Sequence, residues 1–237
     1  TSKFGEAEAL FRRSSSIIEK VHGASSPELA TVLNNLGMAQ RHQGKYVEAE
    51  PLYRRALAIN EKVHGPNHPT VAKNLNNLAL VYTNTARLAE AESIYRRSLA
   101  ISELSFGPNH PDVAATLNNL SLVYAKQGRL PEAEAMGGRA LGIFQLALGP
   151  QHPDVATTLN NLSQFAREQG RLPESAAILD KSLALQKGDP ESLAAAMTNL
   201  AEAYKRAGKL DEAEPLYKQA IAALEKRPSG DQKVLAT

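Results

Sequence analysis

A four-letter phrase, Leu-Asn-Asn-Leu, is written four times into this chain of 237 residues. It begins at Leu33, Leu75, Leu117 and Leu159, a step of 42 residues each time. A worn copy, Met197-Thr198-Asn199-Leu200, starts 38 residues after the last. A fixed period of this length marks stacked repeats, each too small to bury its own apolar face and obliged to lean on its neighbour. A chain of this kind is searched for a binding surface before a catalytic centre.

The second repeat shows the local logic. Gly65-Pro66-Asn67-His68-Pro69 reads as a loop running into a helix. Proline suits a first helical position, because its missing N–H would have no intrahelical partner there. A first helix, A, is predicted from Pro69 to Thr85, with an inward stripe of Val71, Leu75, Leu78 and Tyr82. That spacing of four, three and four is the period of one helix face. After a short turn at Ala86, a second helix, B, is predicted from Leu88 to Ser105. Its buried side is Ala91, Ile94, Tyr95, Ser98, Leu99 and Ile101. Glu90 and Glu92 fall in its first turn, where carboxylates complement the helix dipole. Turns recur at Gly44, Ala86, Gly128, Gly170 and Gly208. Glycine takes the left-handed conformation that ends many helices, so Ala86 is expected to mark a weaker or differently shaped turn.

The N-terminal stretch from Phe4 to Val21 aligns with Tyr46 to Val63 and is read as a B helix, spanning 3–22, without its A helix. Five helix pairs follow at about 27–65, 69–107, 111–149, 153–188 and 190–226, and 227–237 is expected to fray. The fold class is therefore all-α, a solenoid of antiparallel helix pairs with eleven helices. The orphan's Leu10, Phe11 and Ile17 lack a partner helix, and the parent protein is expected to extend upstream. Gln186 to Pro190 makes the fourth connection four residues shorter, so that B helix should lose one turn. Gly137-Gly138 falls mid-helix where the second repeat has Tyr95-Arg96. Each glycine costs about 1 kcal/mol against alanine there. Drift is the expectation, with Met136 or Phe144 filling the gap and Gly137→Tyr raising the melting temperature. Pro51 and Pro215 each remove one backbone bond from a B helix, whose first turn should be loose.

Composition narrows the function. Lys plus Arg number 27 against 25 Asp plus Glu, too even for a nucleic-acid footprint. The absence of Cys excludes disulfides and thiol chemistry and fits a reducing, cytoplasmic location. No run approaches the length of a membrane-spanning helix. His68, His110 and His152 each precede a proline in equivalent loops, but stacked helices stand about 10 Å apart, too far to share a metal. No phosphate loop, nucleophile elbow or zinc-protease helix occurs. Neither catalysis nor a cofactor or metal is expected.

The helix pair reads as Leu-Asn-Asn-Leu followed by tyrosine, glycine, alanine, tyrosine and Ala-Leu at fixed offsets. It resembles the tetratricopeptide repeat, whose small residues lie where A and B helices cross. Ala49, Ala91, Ala133 and Ala213, with Ser175 in the fourth unit, match the first such position. Ala56, Ala140 and Ala220 match the second. The 42-residue length, the Asn pairs, Glu-Ala-Glu-x-Leu-Tyr-Arg-Arg-Ala-Leu and Gly-Pro-x-His-Pro-x-Val-Ala are similar to the kinesin light chain subtype. The resemblance covers about 4–226. It implies a right-handed superhelix whose A helices line a concave face and hold extended peptides.

On that implication, the peptide-binding candidates lie on the exposed side of the A helices. They are Asn34, Asn35 and Arg41, then Lys73, Asn76, Asn77 and Asn84. Asn118, Asn119 and Lys126 come from the third unit. Asn160, Asn161 and Arg167 come from the fourth, and Asn199 and Lys205 from the fifth. A carboxamide both donates and accepts, so it can pair with a peptide backbone of any sequence. The interspersed Arg and Lys would attract acidic side chains or a terminal carboxylate. The competing role is that one Asn of each pair bonds the neighbouring repeat and sets its spacing. The expected function is a protein-interaction scaffold holding an extended acidic segment, without nucleic acid or membrane. The alternative is a regulatory repeat segment of a larger enzyme or signalling protein. A minor option is weak self-association through exposed end helices.

Overall fold

The computed structural model describes residues 2–185 and 190–225. Among the described residues there are eleven helices and no strand. They are α1 (Ser2–His22), α2 (Pro27–His42), α3 (Tyr46–His64), α4 (Pro69–Asn84), α5 (Leu88–Phe106) and α6 (Pro111–Lys126). The remainder are α7 (Leu130–Leu148), α8 (Pro153–Glu168), α9 (Leu172–Leu185), α10 (Pro190–Arg206) and α11 (Leu210–Glu225). The expectations for residues 186–189 and 227–237 lie outside the described residues, and with them the length of the fourth B helix. No helix among the described residues is long and apolar enough to cross a membrane.

The chain forms two compact units, 1–129 with α1 to α6 and 130–237 with α7 to α11. In the first unit every helix packs on the next, and the A helices also touch one another, α2 with α4 and α4 with α6. Its core is built from the expected stripes. Leu29, Ala30 and Leu33 of α2 pack with Ala56 and Ile59 of α3, and Ile18 of α1 closes the cluster. Val71, Ala72 and Leu75 of α4 pack likewise with Ile101 of α5, closed by Leu57 of the preceding B helix. In the second unit Ala176 and Leu179 of α9 meet Leu200 and Ala203 of α10, with Leu216 of α11 against them. Each cluster therefore draws on three consecutive helices. On α1, Leu10 and Ile17 face solvent and Phe11 is half-buried.

A second bond joins neighbouring repeats outside the apolar core. Glu8 of α1 accepts from Lys45 at 2.8 Å, from Gln43 at 2.9 Å and from Gln40 at 3.3 Å. One period on, Glu50 accepts from Arg87 at 2.8 Å, and another on, Glu92 accepts from Arg129 at 3.0 Å and from Gln127 at 3.0 Å. In the second unit Arg171 reaches Glu134 in the same way. The cation also lies on the tyrosine that ends the A helix, Arg87 4.0 Å from the Tyr82 ring and Arg129 4.2 Å from the Tyr124 ring. The hydrogen bonds from Lys45, Gln43 and Gln40 hold the Glu8 carboxyl down at about 2. Burial alone would push Glu92 up, but the bonds from Gln127 and Arg129 overcome it and hold it low. Glu92 thus acts across repeats; the first turn of α5 holds Glu90 and not Glu92.

The turns within pairs are uniform. Gly44, Gly128, Gly170 and Gly208 have φ of +76°, +77°, +78° and +75°. Ala86 has φ of +59° and keeps the same closing bond, Arg87 N–H to Tyr82 O at 2.9 Å, that Arg129 makes to Tyr124 O at 2.9 Å. The expected change of shape is absent. Arg87, held by Glu50 and Tyr82, pins the turn, and the alanine bears the strain of a left-handed conformation. The loops between pairs bring a second regularity. His68, His110 and His152 cap the following helix, each Nδ1 accepting from a backbone N–H, as Ser26 does for α2. A side-chain acceptor here satisfies one of the orphan donors of the first turn. The helices α3 and α11 run through Pro51 and Pro215 without a break.

Gly137 is not a gap. A methyl group added there would stand 2.9 Å from Leu162 Cδ2 and 3.6 Å from Phe165 Cε2. The expected filler was Met136 or Phe144; the side chains that close on the glycine include Leu162 and Phe165 of α8. Phe165 stands where α4 has Val81 and α6 has Val123. A large residue lost from the B helix has been regained on the following A helix.

Two stability outcomes follow from these sites. Ala86→Gly is expected to raise stability by about 1 kcal/mol, since it relieves the left-handed alanine; a lower melting temperature would show that the turn bears no strain. Gly137→Tyr is expected to lower stability by about 1–3 kcal/mol through overpacking. In a Phe165→Val background most of that loss should disappear, and thermal melts of the four proteins of this cycle decide it; an equal loss in both backgrounds would rule out the exchange.

Candidate functional site

The four Asn pairs follow the buried leucines of their A helices by one and two residues. That register leaves them half-buried. In the first unit their hydrogen bonds run along the stack. Asn77 of α4 donates to Asn34 Oδ1 of α2 at 2.9 Å, and Asn119 of α6 donates to Asn76 Oδ1 of α4 at 3.3 Å. The first Asn of one pair thus accepts from the second Asn of the next. Two buried amides extend the chain inward, with Asn60 donating to Asn74 at 2.6 Å and Asn74 donating to Asn34 at 3.1 Å. Asn60 and Asn74 escape a periodic reading because neither recurs in the other repeats: one period on stand Ser102 and Thr116. Asn35 makes no side-chain hydrogen bond among the described residues, and Asn84 donates back to Leu80 O of its own helix at 2.7 Å.

Beside this row a cleft of about 300 Å³ opens in the first unit. Asn34, Lys73, Asn76 and Asn77 line it from the A helices, and Ser98, Ser102 and Phe106 of α5 line it from the B side. Asp112 and Thr116 of α6 complete its wall. The B-helix residues and Asp112 lie outside the exposed A-helix stripe, so a search confined to that stripe passes over them. Lys73 and Asp112 stand 3.9 Å apart at this cleft.

The second unit has a smaller cleft of about 170 Å³, lined by Asn160, Asn161, Ser163, Gln164, Arg167 and Asn199. The buried Asn160 Oδ1 has no hydrogen-bond partner among the described residues. Arg167 is engaged by Glu202 at 3.6 Å. Of the other basic candidates, Lys126 and Lys205 are exposed and Arg41 is half-buried. The structure thus brings Asn34, Lys73, Asn76 and Asn77 together at one cleft and Asn160, Asn161, Arg167 and Asn199 at another. Among the described residues no group of three or more His, Asp or Glu could hold a metal ion.

The comparisons with known proteins agree with the fold. A model of the tetratricopeptide repeat matches residues 1–62, 28–103, 70–145, 112–188 and 154–226. No curated protein sequence matches the chain. Among solved structures, BtubC (BKLC) from P. vanneervenii superposes with a TM-score of 0.80 at 23% identity, over 99% of this chain and 97% of that one. A kinesin light chain-like protein of Podosopora anserina, with nearly identical TPR-like repeats, gives 0.72 at 23% identity, over 86% of this chain and 99% of that one. MamA gives 0.57 at 18% identity, over 81% and 95%. At these identities the likeness carries the fold.

The hydrogen bonds separate two classes of asparagine. Asn34→Ala strips the acceptor from Asn74 and Asn77 and should cost about 1–3 kcal/mol. Asn35→Ala removes no bond and should stay within about 0.5 kcal/mol. Denaturant unfolding of the two variants measures the difference, and equal losses would refute the division.

Proposed function

Since this chain belongs to the tetratricopeptide repeat family, we propose that it is a protein-interaction scaffold that holds an extended, acidic segment of a partner along its A helices. The observation that carries this reading is the row of half-buried amides beside polar clefts. An amide that is half-buried is partly desolvated and fixed by its neighbour, so it offers its remaining valences without an ordering cost. Asn160 Oδ1, buried and without a donor, is the kind of acceptor that a peptide N–H would satisfy. The amides read the backbone, which every peptide shares, so selectivity falls to the charges. Lys73 and Lys126 project from α4 and α6 and are exposed, where they would speed and orient the approach of an anionic segment.

The family's scaffold role has no need of a reacting group, and the site is built accordingly from amides, hydroxyls and cations. Selection from a random peptide library displayed on phage tests the reading. The wild type should enrich Asp and Glu. The Lys73→Glu/Lys126→Glu variant should bind the selected peptides about fivefold to tenfold more weakly, the size of roughly 1 kcal/mol. A selected pool without acidic bias, or an affinity untouched by the charge reversal, removes the acidic half of the proposal.

A further inference from the structure

One helix of the first unit carries a contact face that the fold leaves open. Leu10, Ile17 and Val21 of α1 are 67%, 51% and 70% exposed. Their spacing of seven and four puts them on one side of the helix. One and two periods on, Leu10 and Ile17 become Leu52 and Ile59 of α3, then Ile94 and Ile101 of α5. There the same side is closed. Leu52 and Ile59 pack with Leu29, Ala30 and Leu33 of α2. Ile94 and Ile101 pack with Val71, Ala72 and Leu75 of α4. Ile59 and Ile101 are only 5% and 4% exposed. An A helix thus covers this side of α3 and of α5, and none of the described residues covers it on α1.

A second contact is missing at the same helix. Arg55 of α3 reaches back to Glu19 of α1 at 2.5 Å, and Arg97 of α5 reaches back to Glu61 of α3 at 2.7 Å. Each pair ties a B helix to the B helix before it. Arg13 holds this position on α1; it is exposed and has no carboxylate in contact among the described residues.

Both gaps fit one occupant, because segment 46–84 fills their counterparts on α5. Its Glu61 holds Arg97, and its Val71, Ala72 and Leu75 pack on Ile94 and Ile101. That segment is a B helix with a glutamate near its end, a loop, and an A helix with the spacing Val-Ala-x-x-Leu. Leu29-Ala30-x-x-Leu33 repeats the spacing on α2. A second copy of the chain has no such segment to offer without opening its own stack, since each A helix among the described residues already packs on a B helix of its own chain.

We propose that the open side of α1 is a docking site for a helix hairpin of a partner protein, a B-type helix with a glutamate near its end followed by an A-type helix with the Val-Ala-x-x-Leu or Leu-Ala-x-x-Leu spacing. The A-type helix buries Leu10 and Ile17, and the glutamate holds Arg13. This is recognition of a helix by its apolar face. It continues the stack through the two contacts that already join α4 and α3 to α5, and it does not depend on the binding of an extended segment along the A helices.

The test uses the whole chain and a synthetic peptide of residues 46–84. Two altered peptides serve as controls, one with Val71→Ser and Leu75→Ser, the other with Glu61→Gln. The chain variants are Leu10→Gln/Ile17→Gln and Arg13→Gln. Both change only exposed side chains, so each should melt within a few degrees of the wild type. By calorimetry the wild type should bind the peptide, and Leu10→Gln/Ile17→Gln should bind it at least about tenfold more weakly, having lost the burial of two aliphatic side chains. The serine peptide should bind to none of them. Arg13→Gln and the Glu61→Gln peptide should each weaken binding about threefold, with no further loss when combined. Equal affinity of wild type and Leu10→Gln/Ile17→Gln overturns the site, because every internal seam is intact in both; so does a wild type that leaves the peptide unbound. A melting temperature of Leu10→Gln/Ile17→Gln many degrees below wild type overturns it too, since the face would then be covered inside the fold. Losses from Arg13→Gln and Glu61→Gln that add in full overturn the role of Arg13. A wild type that sediments as a dimer, with Leu10→Gln/Ile17→Gln a monomer, gives the face to a second copy and overturns the partner hairpin.

Discussion

Neither apolar cluster described in the first unit is closed by one helix pair alone. The cluster around Leu29 and Leu33 is sealed by Ile18 from the helix before, and the cluster around Val71 and Leu75 by Leu57. Everything else answers to that dependence. An apolar contact is non-directional, so two repeats held by it alone could slide along their shared face. Directional bonds on either side of the seam remove that freedom. On one side a glutamate of the B helix takes a cation from the next turn, as Glu50 takes Arg87 and Glu92 takes Arg129. On the other, an asparagine of one A helix accepts from an asparagine of the next. Register is set by the polar atoms and adhesion by the apolar ones.

This arrangement shapes what the binding face can do. Asn34 accepts two neighbouring amides and has little left for a ligand. Asn35, one residue on, is not drawn into the ladder. The ladder takes both asparagines of the second pair, Asn76 and Asn77, but only one of the first. A partner would meet a surface whose amide groups are already oriented by internal bonds. Preorganisation of this kind limits the entropy lost on binding.

Much of this could be read from the letters. The 42-residue step places α1 to α8 to within a residue or two at either end, and the four-three-four spacing picks out Val71, Leu75, Leu78 and Tyr82, all buried. What could not be read has a common physical cause: the partner lies a repeat away. Glu92 looks like a first-turn carboxylate until Arg129 is seen to reach it. Gly137 looks like a defect until it is set beside Phe165, 28 residues later. The asparagines were found on the right helices, but the direction of each amide hydrogen bond is decided by a neighbour that local pattern does not contain. Ala86 shows the converse, since its turn keeps a shape its own residue disfavours because Arg87 is bound elsewhere.

A periodic frame makes its irregularities informative. Where one repeat departs from the others, the departure has either been compensated or left standing. Gly137 is compensated by Phe165. Arg167 is compensated by Glu202. Arg41 stands half-buried beside Tyr53 with no carboxylate in contact among the described residues. An uncompensated cost within an otherwise consistent frame is where natural sequences depart from local rules for function. The same reasoning separates the lysines of the A helices from Arg41. Lys73 and Lys126 are exposed and keep their hydration, so they need no counter-charge. Arg41 has given up part of its hydration and received no carboxylate in exchange.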